Sequence, residues 1–139
     1  MIMTGPETVR MALLRPEDIV RARQAGRDVA SRLGFGMADQ TRLATAISEI
    51  ARNALHYGGG GSCEIAGTME GTSREIRVSI VDHGPGIPNL EQAMQPGFST
   101  GHSLGMGLPG ARKLVDLMTV ETGPGLTRID LVMRRGGRV

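Results

Sequence analysis

Four consecutive glycines, Gly58 to Gly61, constrain this chain more than any other segment, because no helix runs through such a stretch without a large entropic cost. Upstream of them the apolar period is mainly helical. Ile19, Ala22, Gly26, Val29 and Leu33 line one face of a segment that opens at Pro16, carries Glu17 and Asp18 in its first turn, and ends at Gly34. Leu43, Ile47, Ile50 and Ala54 form a second stripe, which predicts a helix from an Asp39 N-cap to about Tyr57. Downstream the period becomes that of strands. About Cys63 to Met69 and Glu75 to Val81 read as a hairpin turned by Glu70, Gly71, Thr72 and Ser73. Thr8 to Leu14 predicts an edge or half-buried strand, about Leu108 to Leu117 a third long helix, and Thr119 to Thr122 and Thr127 to Arg134 two closing strands. Helices interleaved with hairpin strands over 139 residues give one α/β domain, a two-layer sandwich.

Composition narrows the function classes. Only Phe35, Tyr57 and Phe98 are aromatic, which excludes a binding platform of stacked rings. The net charge is +2, with Lys113 the sole lysine among 16 basic residues, a balance too slight to imply nucleic acid. A lone Cys63 offers neither a disulfide nor a zinc cluster, and no apolar run approaches membrane-spanning length or a signal-peptide core. The expectation is a soluble cytoplasmic protein without a membrane partner. The Arg21, Arg23, Arg27 and Arg32 face of the first helix suits a solvated surface or a docking site for an acidic partner.

Three segments carry chemistry. Glu49 and Asn53 lie four residues apart on the second helix, hence on one face, and offer a proton acceptor beside a neutral oxygen ligand for a hard cation such as Mg²⁺. An apolar strand ends in Asp82, whose carboxylate can accept from the exocyclic amine of a purine, and Gly84 and Gly86 follow it. Gly105-Met106-Gly107-Leu108-Pro109-Gly110 is formally a G-x-G-x-x-G, yet no strand precedes it and no Gly-Lys-Ser/Thr follows, so neither a Rossmann fingerprint nor a P-loop fits. Glycines opening a helix still leave free amides for phosphate. Between Asp82 and Gly110 stand seven glycines and four prolines, with a short helix expected around Asn89 to Gln95; a span of this kind is a binding loop, a lid or disorder.

Glu-x-x-x-Asn on a helix, Asp-x-Gly-x-Gly after a strand and Gly-x-Gly-Leu opening a helix, in that order, resemble the N, G1 and G2 boxes of the GHKL ATPase and kinase superfamily. Leu33-Gly34-Phe35-Gly36, Ala46-Ile47-Ser48-Glu49, Asp82 to Pro88, Gly97-Phe98-Ser99-Thr100 and Gly105 to Gly110 further resemble the RsbT-type serine/threonine kinases, over about Val9 to Met133. The resemblance implies a Bergerat fold: a mixed, mostly antiparallel sheet with three helices on one face. It implies ATP and Mg²⁺ as cofactors, Asn53 as the metal ligand and Glu49 as the catalytic base. It implies that Asp82 reads adenine, that Gly84 and Gly86 make room for the base and the lid, and that Ile87, Gly105, Met106, Gly107 and Leu108 complete the nucleotide site. Adenine is then held by Asp82 and aliphatic surface. The implied substrate is a Ser or Thr of a STAS-domain protein, with a PP2C-type phosphatase as a second partner.

This chain departs from the pattern in Gly123-Pro124-Gly125-Leu126-Thr127, where the family has Gly-x-Gly-Thr and Thr127 is the matching adenine-site residue, and in His102-Ser103 within the lid. His56 reads as a helix-end residue and His83 receives no role. Other readings are an RsbW-type anti-sigma factor that sequesters a sigma factor, a non-catalytic nucleotide-gated module, and a detached histidine-kinase catalytic domain. The last lacks a phosphoacceptor, since no His precedes Glu49.

Overall fold

The computed structural model describes residues 7–95 and 107–136. Its elements run β1 (Glu7–Leu13), α1 (Pro16–Arg32), α2 (Met37–His56), β2 (Gly61–Glu70), β3 (Ser73–Asp82), α3 (Leu90–Ala93), α4 (Gly107–Leu114), β4 (Leu117–Gly123) and β5 (Leu126–Arg135). The five strands form one sheet in the order β1-β2-β3-β5-β4. All four ladders are antiparallel, so the sheet carries none of the mixed character expected. No described helix is long and apolar enough to cross a membrane.

Period-2 patterning assigns the two faces. Cys63 and Ile65 on β2, Ile76, Val78 and Ile80 on β3, and Ile129, Leu131 and Met133 on β5 point to the helical layer and are buried. The alternate positions form a charged face on which Arg77 and Arg128 both pair with Asp130 and Arg10 pairs with Glu64. Against the apolar face pack Ala22 and Val29 of α1, Leu33 at its C-cap, and Leu43, Ile47, Ile50 and Ala54 of α2, the stripes read from the sequence. Each of the Val, Leu and Ile side chains contributes roughly 1.5–3 kcal/mol on full burial. Small residues set how close the layers come: a Cβ on Gly26 would stand 2.3 Å from Cδ1 of Ile47, and one on Gly67 would stand 2.9 Å from both Leu33 and Val29.

Charged groups tie the helix ends to the sheet. Asp18, in the first turn of α1, accepts from the backbone N–H groups of Leu14 and Arg15, and those bonds hold its carboxyl below the usual range. Along the Arg face, Arg32 pairs with Glu7, Arg27 bonds Thr41 and Arg21 pairs with Asp18, so three of its four arginines have partners within the fold. The start of α2 differs from expectation. The cap is Gly36, and Asp39 stands inside the first turn with its carboxylate taken bidentately by Arg135 of β5 at 2.9 and 3.0 Å. A tertiary ion pair has claimed the group that local sequence assigns to capping. Arg135 also reaches Asp116 at 2.7 Å, so a single side chain pins both the start of α2 and the approach to β4.

Bonding to Arg135 lowers the Asp39 pKa below its ordinary 3.8. A carboxyl depressed by folding contributes stability above its unfolded pKa, and that stability is lost as pH falls through the folded value. Urea unfolding is therefore expected to show stability declining from about pH 5 downward, with a shallower decline in Asp39→Asn, which should also be less stable at pH 7 by about 1 kcal/mol. Equal acid slopes for the two proteins would contradict this linkage.

Candidate functional site

A cavity of about 410 Å³ opens between the C-terminal half of α2, the ends of β3 and β5, the loop after β3, and the start of α4. Ile50, Ala54, Ile80, Ile87, Leu108 and Ile129 give it aliphatic walls. Its size suits an organic ligand of cofactor class. Tyr57, at the end of α2, also lines it, an aromatic contribution that the aliphatic expectation missed.

Asp82 sits where β3 ends, 8% exposed, paired in register with Gly61 on one side and Thr127 on the other. Oδ1 accepts the N–H of Gly84 at 3.0 Å. Its other oxygen has no protein donor among the described residues, although Asp82 lines the cavity. A carboxylate oxygen at a cavity wall is an acceptor, so the site favours a ligand that brings an N–H. Thr127 lies beside it, 6% exposed, with its hydroxyl 2.8 Å from that of Thr122. Thr122 in turn accepts the N–H of Ile87 at 2.9 Å. These three residues join the loop to both strands of the β4-β5 hairpin.

Further bonds hold the glycine-rich loop in one shape: Gly125 donates to the carbonyl of Gly84 at 3.0 Å, and Nδ1 of His83 lies 3.3 Å from the carbonyl of Gly125. The room that Gly84 and Gly86 leave is taken by the protein's own backbone. A Cβ on Gly84 would come 2.6 Å from Cα of Gly58, and one on Gly86, whose φ is +88°, would come 2.4 Å from the carbonyl oxygen of Gly123. Sequence reasoning reserved that room for a base and a lid. It read Gly58 only as part of the run that stops α2 and missed Thr122 altogether, since the contacts of both with the site form only once strands and helix meet.

On α2, Asn53 lines the cavity half-buried, and its carboxamide has no protein partner among the described residues. Glu49, one turn earlier, is held at both oxygens: Oε2 accepts from Arg52 Nη1 at 2.9 Å and Oε1 from the N–H of Gly107 at 3.3 Å. Gly107 and Leu108 open α4, and both line the cavity. Gly105 and Met106, together with Phe98, His102 and Ser103, lie outside the described residues. Thus Asn53, Asp82, Gly86, Ile87, Gly107, Leu108 and Thr127 line one cavity, with Gly84 in its loop and Glu49 on its α2 border. Among the described residues no three His, Cys, Asp or Glu side chains gather to hold a metal. A cation here would take Asn53 and oxygens of the ligand itself, which is how Mg²⁺ is commonly held beside phosphates.

The family model "Histidine kinase-like ATPase domain" matches residues 13–133. The serine/threonine-protein kinase RsbT of Bacillus subtilis is 45% identical over 108 residues, 78% of this chain and 81% of its own. An anti-sigma F factor of Bacillus licheniformis is 35% identical over 95 residues, 63% of this chain and 64% of its own. Among solved structures, the RsbU and RsbW domains of Rv1364c from Mycobacterium tuberculosis superpose with a TM-score of 0.65 at 22% identity, over 98% of this chain and 34% of that one. The catalytic domain of the histidine kinase ThkA superposes with a TM-score of 0.53 at 20% identity, over 91% of this chain and 96% of that one. At such identities the superpositions speak for the fold alone.

The closest approach in the site yields a test. A Cβ on Gly58 would stand 2.2 Å from Cγ of Asp82, whereas one on Gly36 meets nothing within 4 Å. Gly58→Ala is expected to weaken ATP binding by at least about tenfold, equal to about 1.4 kcal/mol, and Gly36→Ala to leave it unchanged, by isothermal titration calorimetry. Equal affinities for the two variants would dissociate Gly58 from the site.

Proposed function

The chain belongs to the histidine kinase-like ATPase family, and from that premise we propose that it is an ATP-dependent protein serine/threonine kinase acting on a STAS-domain partner within a partner-switching pathway. The observation that carries the reading is the placement of Glu49 one helical turn from Asn53, at the border of the cavity that Asn53 and Asp82 line. A module that only senses nucleotide needs Asp82 and Asn53. It has no use for a carboxylate held between Arg52 and Gly107 beside the phosphate end.

Asp82 and Thr127 would hold the adenine edge, the aliphatic walls its faces, and Asn53 the Mg²⁺ that neutralises phosphate charge. ATP, when bound, supplies the γ-phosphoryl group. The first turn of α4 would lie toward the phosphates, with the N–H of Gly107 itself given to Glu49, and Gly105 and Met106 keep the nucleotide role that the sequence pattern implies. Glu49 would accept the proton of the Ser or Thr hydroxyl as its oxygen attacks phosphorus, and ADP would leave. Carboxylate oxygens carry more than one lone pair, so the bonds from Arg52 and Gly107 leave acceptor capacity for that proton. The protein's contribution is mainly position and charge, as phosphoryl transfer generally requires.

A PP2C-type phosphatase is a further proposed partner, as the RsbT-type resemblance implies. The likeness to an anti-sigma F factor supports a second reading, in which the same fold sequesters a sigma factor. A pull-down with ATP and Mg²⁺, scored for STAS protein, phosphatase and sigma factor, separates them; recovery of sigma factor alone would favour the second.

With labelled ATP and a STAS-domain protein from the same cell, Asp82→Asn and Asn53→Ala are expected to abolish transfer by losing nucleotide or metal. Glu49→Gln should retain ATP affinity and lose about 10²–10⁴ in kcat, the usual contribution of a positioned general base. Undiminished transfer by Glu49→Gln would remove it from the chemistry.

A further inference from the structure

Arg52 lies between Glu49 and Asn53 in sequence, and no motif assigns it a role. It is three residues beyond Glu49, a spacing that on most helices marks a solvated pair worth a few tenths of a kcal/mol. The burial here is unequal: the Glu49 side chain is 13% exposed, that of Arg52 46%. Only the cation is well hydrated, and the carboxylate is enclosed. The terminal torsion of a glutamate is broad and roughly two-fold, so a carboxylate with no fixed donors turns freely about it. Glu49 has two, from different elements: Nη1 of Arg52 on its own helix at 2.9 Å, and the N–H of Gly107 at the start of α4 at 3.3 Å. The shorter contact is the charged one, and a guanidinium presents its donors in a rigid plane.

We propose that Arg52 is a positioning residue for Glu49: its guanidinium sets the plane of the carboxylate so that an unused lone pair points where the acceptor hydroxyl must arrive. The inference rests on reading Glu49 as the base and adds to it the residue that orients that base. Misplacement of a reacting group by about 1 Å can cost about 10² in rate, so the loss of such a donor falls on turnover. Arg52 does not line the nucleotide cavity. It lines a second one with Leu14, Pro16, Ile19, Leu55 and His56. Its removal therefore leaves the contacts to ATP in place.

The test compares wild type, Arg52→Ala and Arg52→Lys in transfer of labelled phosphate from ATP to a STAS-domain protein, with ATP affinity measured by calorimetry. Arg52→Ala is expected to lower kcat by about 10- to 100-fold, with ATP affinity and the KM for the protein substrate within about twofold of wild type. Arg52→Lys, which keeps one charged donor, should recover most of the loss. Three results would overturn the inference: kcat within twofold of wild type in Arg52→Ala, a loss carried by KM for the protein substrate, or a lysine variant no better than alanine. A fall in ATP affinity matching the fall in kcat would also reject it, in favour of general structural damage. Absence of transfer by the wild type falls instead on the kinase reading, and takes this inference with it.

Discussion

The end of α2 and the end of β3 meet with no space for a side chain between them, and the ligand cavity exists because they do. Gly58, the first residue of the glycine run, lies against the side chain of Asp82, and Gly84 then lies against the backbone of Gly58. Two successive contacts at glycine bring the helix that carries Glu49 and Asn53 to the strand end that carries Asp82. Any Cβ at Gly58 would push the carboxylate from its place or lift the helix from the sheet. The glycine run therefore does more than stop a helix. It fixes the distance between the two halves of the site.

That arrangement places a carboxylate in a largely aliphatic environment, which is costly unless its oxygens are met. One oxygen is met by Gly84, from the loop that immediately follows the strand. The loop could not serve if it were free to move. Its shape is held by the β4-β5 hairpin, through Gly125 to Gly84 and through Thr122 to Ile87, and Thr122 bonds Thr127 beside Asp82. The register of β5 against β3 thus determines both the partner of Asp82 and the anchor of its loop. Thr127 keeps this position although the turn before it is longer than the family pattern, because pairing Asp82 with Thr127 is a consequence of register.

What could be read without coordinates follows from the range of each interaction. The stripes of α1 and α2 are periodic over several turns, so Val29, Leu43, Ile47 and Ile50 are recognisable as core from spacing alone. Asp82 stands out because an apolar strand ends in a charge. Asp39 misleads, because its carboxylate looks like a cap, while the residue that claims it, Arg135, lies at the far end of the sequence. The part Thr122 plays, and the contact of Gly58 with Asp82, are invisible for the same reason. Their roles come from contacts across the sheet and between layers, which carry no local periodic signal. Gly105 and Met106 lie outside the described residues, so for them the sequence pattern remains the whole of the argument.

On the proposed reading, Glu49 separates a kinase from a nucleotide sensor on the same fold. A carboxylate with no task there would be a liability once phosphate charge is bound nearby, because like charges repel across a few ångströms of protein more strongly than in water. The protein keeps it there with a guanidinium and a backbone amide directed at its two oxygens. The guanidinium offsets the repulsion, and together the two donors limit the directions from which a hydroxyl can approach. An unused acidic side chain needs neither. The expense of holding a charge in one orientation beside another of the same sign is intelligible when that orientation is used, and proton acceptance during phosphoryl transfer is the use proposed for it, one helical turn from Asn53.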